Sequence, residues 1–165
     1  MLFLPFVFGL AVATIPSDDY QAMLQRGNCP MFWFKFNDRC YKYVATRVSW
    51  ADAELHCVSE GANLVSIHSM EEQNFIKGLI KNFDHAEETT WIGLTDIHKE
   101  NSFMWSNGQA VNFVYWYQNE PNNLEGTEHC VHTNHGEEKK WNDEDCYFTL
   151  PSVCAFQINC LQPVD

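Results

Sequence analysis

Five oxygen-bearing side chains stand close together in one part of the chain, and their types favour a hard metal ion. Each is a carboxylate or an amide, and the five are Glu120, Asn122, Glu128, Asn142 and Asp143. Such oxygens are the ligands that calcium prefers, whereas zinc sites combine cysteine and histidine at short spacings that are not clustered here. The residue types therefore predict a calcium site between positions 120 and 143.

Pro121 is placed to shape the loop that carries two of these side chains. Its ring fixes its own φ and biases Glu120 towards an extended conformation. If the Glu120-Pro121 bond is cis, the side chains of Glu120 and Asn122 can point to the same side. Composition alone would favour a simpler interpretation, because acidic and asparagine-rich loops are usually solvated turns.

The spacing of the five residues resembles the pattern of the C-type lectin domain family. Glu-Pro-Asn stands at 120–122, Glu128 lies eight positions after Glu120 and two before Cys130, and Trp-Asn-Asp ends three before Cys146. In that family these positions hold one calcium ion, which directly coordinates two neighbouring sugar hydroxyls. The resemblance implies that all five side chains are both metal ligands and carbohydrate ligands. Glu-Pro-Asn further implies a mannose-type specificity, in which the 3- and 4-hydroxyls are equatorial.

The resemblance also implies an auxiliary calcium site, but less completely. Asp96 and Glu100 stand where mannose-binding relatives contribute to such a site, and Asn123 is the third candidate ligand. The family usually has acidic residues where this chain has Asn123 and His129. We therefore predict one calcium ion, and the auxiliary set is either a second site or a group of ordinary loop carboxylates.

Seven cysteines behind an apolar N-terminus indicate an oxidising compartment and a disulfide framework, whose connectivity the count leaves open. The resemblance to the long form of the lectin domain implies the pairs Cys29-Cys40, Cys57-Cys154 and Cys130-Cys146. Cys160 is then left over. It either links two chains in a disulfide-bonded dimer or remains a free or capped thiol.

Capping residues and apolar periodicity predict two helices. Ser49 precedes a helix over residues 50–59. Ser69 and Glu72 form a capping box that opens a second helix, which continues to about Asn82. Two helices with short strands around them predict an α+β domain, and the resemblance implies the C-type lectin-like fold stapled by disulfides.

Short strands are predicted on both sides of these helices. Aromatic and polar residues alternate around Asn37-Asp38, which indicates a hairpin. Trp91-Ile92-Gly93-Leu94 matches the core strand of the lectin family, and Asn107-Gly108 marks a turn. Residues 147–156 are predicted to form the closing strand.

The chain divides into four predicted segments. Residues 1–12 are apolar and Ala11-x-Ala13 suits cleavage, so 1–13 is predicted to be a signal peptide and the protein to be secreted. Residues 14–28 are predicted to be an N-terminal arm or pro-segment. The lectin domain is assigned to 29–160 and a C-terminal tail to 161–165.

Charge and motifs argue against two other classes of function. A net charge of -12 with ten lysines and arginines does not suit a nucleic-acid backbone. Glu120 and Glu128 could be imagined as the paired carboxylates of a glycosidase, but both are committed to the metal site. The chain contains no serine-hydrolase, metalloprotease or phosphate-loop motif, so an enzyme is not expected.

The predicted function is a secreted, calcium-dependent lectin that binds mannose-type glycans on microbial or cell surfaces. The alternative is a surface that binds ice or another protein, because the family also includes type II antifreeze proteins and protein-binding venom proteins. Fold alone does not decide between them.

Overall fold

The computed structural model describes residues 24–159. The predicted signal peptide, most of the predicted arm, Cys160 and the tail lie outside the described residues. The first described residues already lie against the domain, because the Lys35 amide donates to the Gln25 carbonyl at 2.7 Å. Leu24 packs against the core beside it.

Both predicted helices are confirmed, and serine caps begin them. Helix α1 spans Trp50–Ser59, and the Ser49 hydroxyl accepts the amide N–H of the residue at the third helical position. Helix α2 spans Met70–Phe83 and is capped in the same way by Ser69. Its apolar face is buried in the core. Across residues 24–159, neither helix has the length and apolar character that a bilayer crossing would require.

A mixed sheet of eight strands completes the predicted α+β fold. The strands are β1 (Phe34–Phe36), β2 (Arg39–Val48), β3 (Asn63–Leu64), β4 (Thr90–Thr95), β5 (Met104–Trp105), β6 (Glu128–His135), β7 (Lys140–Asp145) and β8 (Leu150–Gln157). Their main order is β1-β2-β8-β4-β6-β7, with β3 beside β8 and β5 beside β4. β4 and β8 are parallel, and the other pairs are antiparallel. The predicted hairpin is β1-β2.

The three disulfides implied by the resemblance are present, as Cys29–Cys40, Cys57–Cys154 and Cys130–Cys146. The second joins α1 to β8 across 97 positions of sequence. Closing a loop of about 100 residues stabilises the folded state by about 4.7 kcal/mol in the chain-entropy account. The third joins β6 to the residue that follows β7, so it fixes the two strands that lead to the predicted metal ligands.

Trp141 anchors β7 beneath the predicted site. Its ring is fully buried and meets the rings of Trp105, Phe113 and Trp116 edge-on, with centroids 5.7, 5.8 and 5.9 Å away. Its indole N–H donates to Gln73 of α2 at 2.8 Å. The aromatic residues before the loop therefore pack against β7, and β7 also carries the predicted ligands Asn142 and Asp143.

Candidate metal centre

The five predicted ligands lie on one loop and on the two paired strands beside it, β6 and β7. Glu120 and Asn122 lie on the loop, and the Glu120-Pro121 peptide bond is cis. The Asn122 side-chain amide donates to Glu120 Oε1 at 3.1 Å, so the two side chains do point to the same side. The other three residues come from β6 and β7, which pair in antiparallel fashion.

Asp143 holds the loop against β7. Its carboxylate is 1% exposed, and each oxygen accepts a backbone N–H from the loop: Oδ1 from Asn122 at 3.1 Å and Oδ2 from Asn123 at 2.8 Å. A carboxylate oxygen that accepts one hydrogen bond retains a lone pair for a cation. Asp143 can therefore shape the loop and act as a metal ligand.

Glu128 fixes the far side of the same loop. Its Oε2 accepts the Leu124 N–H at 3.0 Å, and its own backbone N–H donates to Asn123 Oδ1 at 3.1 Å. Glu128 is the first residue of β6 and is buried. The sheet therefore positions this carboxylate.

The site combines crowded carboxylates with one unsatisfied oxygen. Glu120 Oε2 is buried and has no hydrogen-bond partner among the described residues. That holds for the ionised carboxylate; burial, followed by a hydrogen bond that protonated Glu120 can donate to Asp143 and by the charges of Asp143 and Glu128, raises the pKa of Glu120 to about 7. Burial and the Asp143 charge also raise the pKa of Glu128, although the Leu124 N–H opposes this. A bound cation would neutralise the repulsion, so this set of oxygens fits calcium.

Asn142 is oriented by a residue that the sequence did not single out. His132 lies opposite Asn142 in the β6-β7 register, and their Nε2 and Nδ2 atoms are 3.3 Å apart. Burial lowers the pKa of His132 to about 4, so the ring is neutral, and its Nδ1 donates to the Thr133 carbonyl. Nε2 is then an acceptor for the Asn142 amide N–H, which leaves Asn142 Oδ1 available. His132 is one of three histidines on a mostly polar strand, and only the strand register singles it out.

The predicted auxiliary residues are arranged differently from the expectation. Asp96 and Glu100 come together with His129, whose Nδ1 lies 3.2 Å from Asp96 Oδ1 and 3.4 Å from Glu100 Oε2. Asn123 instead directs its side-chain oxygen to the Glu128 N–H. The third side chain beside Asp96 and Glu100 is therefore His129, and not Asn123 as expected.

Comparison with known proteins decides the family. The sequence model of the Lectin C-type domain matches residues 46–156. The chain belongs to the C-type lectin domain family. It is 41% identical over 139 residues to the lactose-binding lectin l-2 of Anguilla japonica, with 82% of each chain covered.

Solved C-type lectin-like structures have the same architecture. The herring type II antifreeze protein superposes with a TM-score of 0.74 at 36% identity, covering 79% of this chain and all of that one. The C-type lectin CEL-I of Cucumaria echinata superposes with a TM-score of 0.76 at 29% identity, covering 80% and 99% of the two chains. The predicted fold is confirmed.

Proposed function

We propose that this C-type lectin domain is a secreted, calcium-dependent lectin that binds mannose-type glycans. The observation that carries the proposal is the buried, unpartnered Glu120 Oε2 beside the carboxylates of Asp143 and Glu128. Concentrated negative charge with an unsatisfied acceptor is costly without a cation. Neutralising that charge would stabilise the loop and the ionised form of Glu120 together.

Each proposed ligand has a distinct structural role. Asp143 fastens the loop through backbone amides, Glu128 fixes its far side, and Asn142 keeps an amide oxygen available because His132 accepts its N–H. Glu120 and Asn122 present an acid and an amide side by side. When bound, calcium would supply coordination positions for two neighbouring hydroxyls of a sugar.

The order of acid and amide supports mannose-type specificity. Glu120 can only accept hydrogen bonds when ionised, whereas the Asn122 amide can also donate them. The family resemblance associates this order with equatorial 3- and 4-hydroxyls. The Anguilla japonica relative is named a lactose-binding lectin instead, so galactose and lactose are the necessary competitors in any test.

The test is a calcium titration followed by sugar competition. Calorimetry should show calcium binding in the wild type and its loss in Asn142→Ala, with Asn107→Ala, an asparagine outside the site, as the control. Protein retained on immobilised mannose in calcium should be eluted by mannose more effectively than by galactose or lactose. Calcium binding without mannose retention would reject the specificity, and unchanged calcium binding in Asn142→Ala would reject the site.

Ice binding is the second candidate, favoured by the superposition on the herring antifreeze protein. Leu124 is 59% exposed on the same loop, so it offers one apolar side chain to such a surface. Ice-recrystallisation assays separate the candidates. Inhibition at micromolar protein, with no retention on mannose, would favour ice.

We also propose that Cys160 joins two chains, because the three disulfides use the other six cysteines. A single shallow sugar site binds at roughly millimolar concentration, and linking two sites can raise avidity by about 10² to 10⁴. Recognition of repetitive microbial or cell-surface glycans would benefit from such linkage. Non-reducing electrophoresis of wild type and Cys160→Ser tests the link, and a monomer band for both would reject it.

A further inference from the structure

The Asp96, Glu100 and His129 side chains form a second cluster, which we name the histidine cluster. One ligand-capable atom from each lies within 4.8 Å of the other two. Asp96 is buried, whereas the side chains of His129 and Glu100 are 28% and 43% exposed. The cluster therefore combines one fixed carboxylate with two groups that solvent can reach.

The separations within the histidine cluster suit a small tetrahedral ion. Zinc binds histidine nitrogen and carboxylate oxygen at about 2.0 to 2.2 Å, so ligands at tetrahedral angles lie about 3.3 to 3.5 Å apart. His129 Nδ1 is 3.2 Å from Asp96 Oδ1 and 3.4 Å from Glu100 Oε2. His129 Nδ1 therefore lies at this spacing from both carboxylates, and the two carboxylate oxygens lie within 4.8 Å of each other.

The elements around the cluster hold two of its members in place. Asp96 Oδ2 accepts the Asn101 N–H at 2.8 Å, which leaves Oδ1 directed to His129. The Asp96 N–H donates to the His129 carbonyl at 3.1 Å, and the Thr95 hydroxyl donates to that carbonyl at 2.6 Å. His129 also precedes the disulfide-bonded Cys130 on β6. The Asp96 carboxylate and the backbone that carries the His129 imidazole are therefore fixed in place.

The imidazole determines which class of ion the cluster suits. Calcium takes six to eight oxygen ligands, whereas imidazole is a ligand for zinc, copper, nickel and iron. Three protein ligands with solvent access also leave a position open. His129 therefore gives this cluster a nitrogen ligand that the five calcium residues lack.

We propose that Asp96, Glu100 and His129 bind a divalent transition-metal ion, with Zn²⁺ as the probe, independently of the calcium residues. The competing interpretation is a hydrogen-bonded histidine between two carboxylates. Zinc binding that depends on both His129 and Glu100 is expected only if the cluster binds a metal ion.

The experiment is a zinc titration of the full secreted protein against a chromophoric chelator, with calcium in excess throughout. Wild type should show one zinc equivalent that His129→Gln and Glu100→Gln each weaken at least about tenfold. His98→Gln is the matched control, because His98 is exposed on the same loop. Circular dichroism establishes that each variant is folded.

Cobalt supplies a second readout that a hydrogen-bonded cluster would not produce. Co²⁺ in the wild type should give visible absorption typical of a nitrogen- and oxygen-ligated ion, and His129→Gln should abolish it. Zinc affinity that is unchanged in His129→Gln, or reduced equally in His98→Gln, would overturn the proposal. Absence of zinc binding to the folded wild type would overturn it as well.

Discussion

The carboxylates of the two acidic clusters in this domain have different hydrogen-bond partners. Around Asp143, backbone N–H groups of the loop fill part of the acceptor capacity, and Glu120 Oε2 remains without a partner among the described residues. In the histidine cluster, the imidazole of His129 lies between Asp96 and Glu100. One cluster therefore offers oxygen alone, and the other offers oxygen with nitrogen.

That difference shows how one residue type can change the ion that suits a position on a shared scaffold. Both clusters are held by β6, where Glu128 and His129 are consecutive. Glu128 accepts the Leu124 N–H of the loop, whereas His129 Nδ1 lies beside Asp96 and Glu100. Neighbouring residues on one strand can therefore serve two separate centres, and variants in one centre test the separation.

The largest effect is expected for Asp143→Ala. It removes a proposed ligand and the acceptor of two loop N–H groups, so calcium and mannose affinity should fall by more than the 10- to 100-fold typical of supporting residues. Glu125→Ala, which removes an exposed carboxylate of the same loop, is the matched control. Calorimetry of both variants gives the comparison, and equal losses would show that only overall charge matters.

The next largest effect is a change of sugar preference in the double variant Glu120→Gln/Asn122→Asp. The oxygens remain, but the acid and the amide exchange places, so preference should move from mannose towards galactose. Competition elution with both sugars measures the change. A double variant that binds calcium and still prefers mannose would refute the role assigned to donor order.

Lower pH should weaken calcium binding, because the ion must displace a proton from Glu120. The pKa of Glu120 is about 7 without the ion, so affinity should fall roughly tenfold or more between pH 7.5 and 5.5. The calcium-free protein responds in the opposite direction. Without calcium, Glu120 binds a proton more tightly in the folded protein than in the unfolded chain. Its contribution to the free energy of unfolding is therefore full below about pH 4.5 and is lost as the pH rises through about 7.

Calcium titrations and thermal unfolding across this range check both signs. Glu120→Gln is the informative variant, since it should stabilise the calcium-free protein near neutral pH while lowering calcium affinity. A calcium affinity that is equal at pH 7.5 and pH 5.5 would contradict the assignment.

The smallest effect is expected for His132→Leu. The Asn142 amide would lose its buried acceptor, and calcium affinity should fall about tenfold. His132→Gln keeps an acceptor and should lose less. The zinc affinity of the histidine cluster should change in neither variant, and a parallel loss there would show that the two centres are not separate.

The sequence predicted those features that depend on local chemistry or on a specific motif. Ser49 and Ser69 identified the helix starts because a capping serine acts on the next few residues. The spacing of Glu-Pro-Asn and Trp-Asn-Asp identified the candidate ligands. The sequence marked position 129 beside the second cluster, but it could not predict that Asn123 accepts the Glu128 N–H instead, because that contact depends on how the loop packs against β6.

His132 was missed for a related reason. Its contact with Asn142 exists only because the β6-β7 register places the two opposite each other, and bulges shift that register on both sides. The orphaned Glu120 oxygen likewise depends on how the loop packs against Asp143. Long-range packing, rather than residue type, sets these parts of the site.

If calcium and mannose share one site, as we propose, mannose binding must depend on calcium, and a mannose titration under three conditions tests this. Wild-type protein is titrated with mannose in excess calcium, in excess chelator, and with zinc replacing calcium. We expect binding only with calcium, because the oxygen-only site is the one that orients the sugar. Mannose binding that persists in chelator, with the protein still folded, would contradict the account.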